Sequence, residues 1–160
     1  MNREILFRGF QLKAGAKQFA FYLGRYYQGI WIEGFPLPYE ENGLNRGMVI
    51  AHKLSADELD SYQPMIKFDK VIPETISQYT GLKDRNGNRI FEGDILSAYL
   101  DDLFPEEETR LTVVWHETGW FGWNHGCQTF DDFENGFNQK FVIIGNIYDH
   151  PELRKGESNS

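Results

Sequence analysis

Leu82-Lys83-Asp84-Arg85-Asn86-Gly87-Asn88-Arg89-Ile90-Phe91-Glu92-Gly93-Asp94-Ile95 is the stretch that decides the fold. Asn86-Gly87 takes the two positive φ angles of a type I′ turn at low cost. That turn matches the twist of paired strands, so it predicts a tight hairpin. Glu92-Gly93-Asp94 is a second turn and launches residues 95–100 as the next strand. Further on, residues 110–116 and 119–123 read as strands flanking a turn at Glu117-Thr118-Gly119. Residues 140–148 read as the last and most buried strand. Strands that follow one another through short loops, with no long helix between them, exclude a parallel α/β sheet. They predict a small antiparallel barrel.

Upstream, residues 5–10, 19–23 and 29–33 are rich in β-branched and aromatic side chains and read as strands punctuated by Gly15, Gly24 and Gly29. Residues 34–43 carry Pro36, Pro38 and Asn42-Gly43 and read as a surface loop. Residues 48–52 form another strand. Ser55-Ala56-Asp57-Glu58 places a capping hydroxyl three residues before a glutamate and starts one short helix through Leu59. Five acids between Asp101 and Glu108 surround Pro105, and their mutual repulsion predicts an exposed, mobile loop.

The 160 residues include 13 Phe, 8 Tyr and 4 Trp, an aromatic content that excludes a disordered chain. Cys127, the single cysteine, cannot form an intrachain disulfide, which favours a reducing compartment. The N-terminus lacks a signal-peptide apolar run, and the best apolar run, residues 141–144, is far too short to span a bilayer. The expectation is a soluble, cytoplasmic protein with no membrane partner. A net charge of −8 repels phosphate backbones, so nucleic acid is the lesser partner expectation.

His116, His125 and Cys127, with Glu117, Asp131 and Asp132 nearby, form the densest set of metal-ligating side chains. Their spacing matches no zinc signature, so no metal, cofactor or catalytic residue is assigned. The cluster Trp115, Trp120, Phe121 and Trp123 either fills a core or offers rings to a partner. Alternation sets Trp120 on the face opposite Phe121, where it can meet solvent.

Residues 71–95 contain the ordered segments Pro73-Glu74-Thr75, Gln78-Tyr79-Thr80-Gly81-Leu82 and Glu92-Gly93-Asp94. Together with residues 3–8 and 142–153, they resemble the YopX family of small phage- and prophage-encoded proteins. The resemblance implies a β-rich protein with an SH3-like barrel in its C-terminal half and no established activity. The organisation that follows is mainly β, a β-rich α+β fold. An N-terminal antiparallel region with one short helix covers 1–70, the SH3-like barrel covers 71–150, and a flexible tail covers 151–160.

Three functions stand on this reading. The first is a non-enzymatic interaction module that binds a host or phage protein in the host cytoplasm, with Trp120, Trp123 and Tyr79 as its surface. Self-association into a homo-oligomer would be a further partnership. The second is a nucleic-acid-binding β-barrel. The third is a small metal-dependent hydrolase using His116, His125 and Asp131 or Asp132.

Overall fold

The computed structural model describes residues 4–12, 29–43, 45–54 and 65–154. Within them strand follows strand: β1 (Phe7–Leu12), β2 (Gly29–Glu41), β3 (Asn45–Lys53), β4 (Ile66–Lys83) and β5 (Arg89–Phe91). Then come β6 (Asp94–Tyr99), β7 (Glu108–His116), β8 (Gly119–Asn124), β9 (Thr129–Asp132) and β10 (Val142–Asn146). The helical segments described are two 3₁₀ stretches, Glu134–Lys140 and Pro151–Arg154. Every pairing is antiparallel, so the mainly-β class expected from the sequence is the class found. The strand expected at 19–23 and the helix expected from Ser55 lie outside the described residues.

The first sheet runs β1-β2-β3-β4-β5, with β1 also paired to β4, so strands β1 to β4 close on themselves. The 18-residue β4 makes closure feasible. Its first part pairs with β3, Ile72, Ser77 and Gln78 pair with β1, and Tyr79 and Lys83 pair with β5. The expected division between residues 70 and 71 falls inside this strand. The second sheet runs β10-β6-β7-β8-β9. Among the described residues no ladder joins its outer strands β9 and β10, and the ring of hydrogen bonds closes in the N-terminal sheet instead.

The motif segments are hydrogen-bonding devices along β4. Pro73 has no N–H to give, and the β1–β4 register slips beside it. Fully buried Thr75 repairs the gap: its Oγ1 accepts the Phe10 N–H at 2.9 Å and donates to the Ile72 carbonyl at 2.6 Å. Thr80 repeats the device one register further, donating to the Ile90 carbonyl at 2.8 Å and accepting the Leu82 N–H at 3.1 Å.

Three local expectations are corrected. The β4–β5 hairpin is present, but only Gly87 has a positive φ, 83°, so the turn is not type I′. Asp84 accepts the Gly87 N–H at its carbonyl, and its N–H donates to the Asn88 carbonyl. This is a type I turn closed by a left-handed glycine. The Asp84 carboxylate accepts the Asn86 and Asn88 N–H groups, which favours that geometry. Residues 34–41 are strand rather than loop, and only Asn42-Gly43 turn. Beyond Gly34 no described strand flanks β2 except β3, so Pro36 and Pro38 sit on an edge strand where a missing N–H is tolerated. Residues 142–145 are half-buried, because β10 is an outer strand, whereas residues 94–98 of β6 are the fully buried run.

Two apolar cores form among the described residues. Ile32, Ile50 and Val71 fill the closed ring. Leu96, Leu111, Val113 and Phe141 centre the second core. A Cβ on Gly122 would stand 2.6 Å from Leu111 Cδ1 and 2.9 Å from its Cβ. Because Leu111 is fully buried, it cannot swing away. Gly122→Ala therefore lowers unfolding free energy by about 1–3 kcal/mol, read from urea midpoints. An unchanged midpoint would mean that this contact does not set the β7–β8 packing.

Candidate functional site

The β7–β8 register sorts the aromatic residues by face. Val113 opposes Gly122 and Trp115 opposes Trp120; Val113 and Trp120 join the core, whereas Trp115, near the end of its strand, is 51% exposed. Thr112 opposes Trp123 and Val114 opposes Phe121 on the outer side, and β9 extends those rows with Phe130 and Asp132. Of the three residues proposed as a surface, Trp123 alone is on this outer face. Trp120 packs against the C-terminal core and meets Trp115 edge-on at 5.0 Å. Tyr79 is only 4% exposed and lies against Phe91 at 5.6 Å, so it offers no ring to a partner. Large rings are drawn to whichever face has apolar depth beneath it, and strand alternation cannot say which face that is.

The outer face carries an open groove of about 770 Å³. Its floor is Thr112 and Val114, one wall is Trp123, Phe130 and His116, and the exposed Trp115 also lines it. The 3₁₀ stretch after β10 supplies Pro151 and Arg154 to the lining. The rings hold one another: His116 stacks on Phe130 at 3.8 Å and 7°, and Trp123 tilts against Phe130 at 4.8 Å. Phe121 meets His116 edge-on at 5.8 Å. Phe130 nonetheless remains 43% exposed. A volume of this size with mainly apolar walls suits a side chain or small ring system.

His116 and His125 both line the groove, but they do different things. His125 Nε2 is 2.7 Å from Thr112 Oγ1. Burial holds its pKa below the ordinary imidazole value, and the charges of Arg154 and Arg110 push it the same way. It is therefore neutral at pH 7. Thr112 is only 5% exposed, so this pair fixes the groove floor and does not present a nucleophile. Cys127 is exposed in the β8–β9 turn, where its N–H donates to Asn124 Oδ1 at 3.1 Å. Asp131 accepts hydrogen bonds from Asn124 and Thr129. Among the described residues no three His, Cys, Asp or Glu side chains gather as a metal site. No helix among them is long and apolar enough to cross a membrane.

Phe130, Pro151 and Arg154 were not legible as site residues in the sequence. Phe130 follows an irregular turn that hides its register, and the other two come from a segment expected to be tail. The pairing of His116 with the Phe121 face was available from alternation alone.

Comparison with known proteins agrees with this architecture. The crystal structure of protein EF1440 from Enterococcus faecalis has the same fold, with a TM-score of 0.50 at 19% identity over 96% of this chain and 100% of that one. No curated protein sequence matches the chain. The family model for YopX protein matches residues 38–155, which include most of the first sheet and all of the second. This chain belongs to the YopX family.

Proposed function

We propose that this chain is a non-enzymatic interaction module that binds a partner protein through the outer groove of its C-terminal sheet. The supporting observation is a set of rings on the face away from the core, with Phe130 43% exposed at its centre. Exposed aromatic anchors in a preformed hollow are what protein interfaces use most. The phage or prophage origin and the host cytoplasm come with the family resemblance, and an exposed free thiol at Cys127 fits a reducing compartment.

The test is co-purification with the full chain as bait. A partner recovered in stoichiometric amount should be lost when Trp123 and Phe130 are both replaced by alanine, since interface anchors contribute about 2 kcal/mol or more each. Phe130→Ala alone should cost less than about 1 kcal/mol of stability, because the ring is half in solvent. Recovery of the same partner, undiminished, by the folded double variant would sink the proposal.

A further inference from the structure

The groove is bordered by negative charge on two sides. At the β7–β8 turn, Glu117 Oε1 stands 3.9 Å from His116 Nε2, with the Glu117 side chain largely in solvent. Asp132 continues the Val114–Phe121 row at the exposed edge of β9. Next to the groove, and sharing His125 with it, lies a second hollow of about 510 Å³ lined by Tyr99, Glu106, Glu107 and Glu108. Glu108 is engaged there: Arg110 lies 2.8 Å from it and Ser97 donates to it, and both hold its carboxyl below the usual range. Tyr99 is 63% exposed beside these acids, so the second hollow also offers a ring.

Two guanidinium groups face these acids: Arg110 in the second hollow, paired with Glu108, and Arg154 on the groove lining, which leaves Glu106, Glu107, Glu117 and Asp132 against Arg154. The neutral His125 at the junction of the two hollows adds no positive charge. Acids arranged around apolar walls do not help an acidic segment enter, and they repel a phosphate backbone. They attract a cationic one, and the rings can accept an ammonium or guanidinium on their faces.

We propose that the groove takes a basic segment of its partner protein, one with a bulky apolar anchor seated against Trp123 and Phe130 and with Lys or Arg beside it, reaching Glu106 and Glu107. This inference rests on the interaction-module reading and names the chemistry of its partner.

The test uses a displayed library of random ten-residue peptides, selected on the full chain at low salt. Trp123→Ala/Phe130→Ala serves as the counter-selection. A random single-stranded oligonucleotide pool is selected in parallel. The expected survivors are peptides with a net positive charge and one aromatic or long aliphatic residue. They should bind the intact chain at least about tenfold better than the counter-selection variant. Their affinity should fall about tenfold between low and physiological salt. Glu106→Lys/Glu107→Lys, two exposed replacements that leave the core alone, should weaken the same peptides and flatten the salt dependence.

Groove-dependent peptides with no charge bias, or with a negative one, overturn the inference while leaving the interaction-module reading in place. Groove-dependent enrichment of oligonucleotides overturns it in favour of nucleic acid. Basic peptides that bind the counter-selection variant equally well overturn it too, since the contact is then diffuse surface charge. Loss of co-purification specificity, measured separately, bears on the module reading itself.

Discussion

Replacing Arg8 with alanine should remove about 3–5 kcal/mol of stability at pH 7, measured by urea unfolding. Arg8 Nη2 donates to Asp94 Oδ1 at 2.5 Å across 86 residues of sequence, which ties the closed ring to the first strand of the second sheet. Asp94 is 1% exposed, and the Arg8 guanidinium lies between the rings of Trp31 and Phe91 at 4.4 and 4.6 Å. Without Arg8, a carboxylate remains in an apolar site with one neutral donor, the Phe91 N–H at 2.8 Å. An unpaired buried charge is among the costliest defects a fold can carry.

The pH dependence of that loss has a definite sign. Burial pushes the Asp94 carboxyl above its ordinary value, while Arg8 and the Phe91 N–H oppose the rise. A folded-state value raised above the unfolded one gives stability at low pH that is lost as pH climbs through the folded value. In Arg8→Ala the opposing cation is gone, so the carboxyl rises further and the protonated form is favoured over a wider range. The penalty should therefore be larger at pH 7 than near pH 4. Asp94→Asn in the same chain should recover part of it, since Asn keeps an acceptor and carries no charge. A penalty independent of pH would show that lost ring stacking, and not the stranded carboxylate, dominates.

Asp84→Ala is the second large effect, with an expected loss of about 2–4 kcal/mol. Asp84 is 4% exposed. Its Oδ1 accepts the Asn86 and Asn88 N–H groups at 2.9 and 2.8 Å, and Oδ2 accepts the Ile143 N–H at 3.1 Å and Asn88 Nδ2 at 3.3 Å. One side chain thus shapes the β4–β5 turn and pins β10 beside it. Burial pushes this carboxyl up, but the hydrogen bonds from Ile143, Asn88 and Asn86 outweigh it, and the net direction is down.

A depressed folded value contributes stability above the unfolded value of about 3.9 and loses it as pH falls through the folded one. The gap between wild type and Asp84→Ala should therefore narrow below pH 4, whereas the Arg8→Ala gap changes above it. Thermal melts from pH 7 down to pH 2.5 check this. A gap that stays constant through that range would mean the carboxylate is not the stabilising form.

Asp84 lies within residues 71–95 and Arg8 within the matching N-terminal stretch, yet neither is legible as a core residue. Asp84 reads as an ordinary turn acid and Arg8 as a charge alternating with Phe7. The partner that matters for each, Asp94 for Arg8 and the Ile143 N–H for Asp84, lies far along the chain, and local pattern carries no information about it. The same limit applies to the groove. Trp115, Trp120, Phe121 and Trp123 are apolar on both sides of one hairpin, so period-two alternation separates the residues into two sets without labelling either as inner. Tyr79 differs from its expected exposure for a related reason: a phenol looks amphipathic in sequence, but here it is buried against Phe91.

Sequence by itself determined the antiparallel β class, the turns at Gly87 and Gly93, and the family. These depend on backbone dihedrals and hydrogen bonds within a few residues, where glycine, proline and short polar side chains act directly. Only the tertiary structure decided where β4 meets β1, which face of the β7–β8 hairpin is covered, and that Pro151 and Arg154 line a groove with Trp123. Those outcomes depend on which apolar surface finds depth to fill, a competition among residues tens of positions apart.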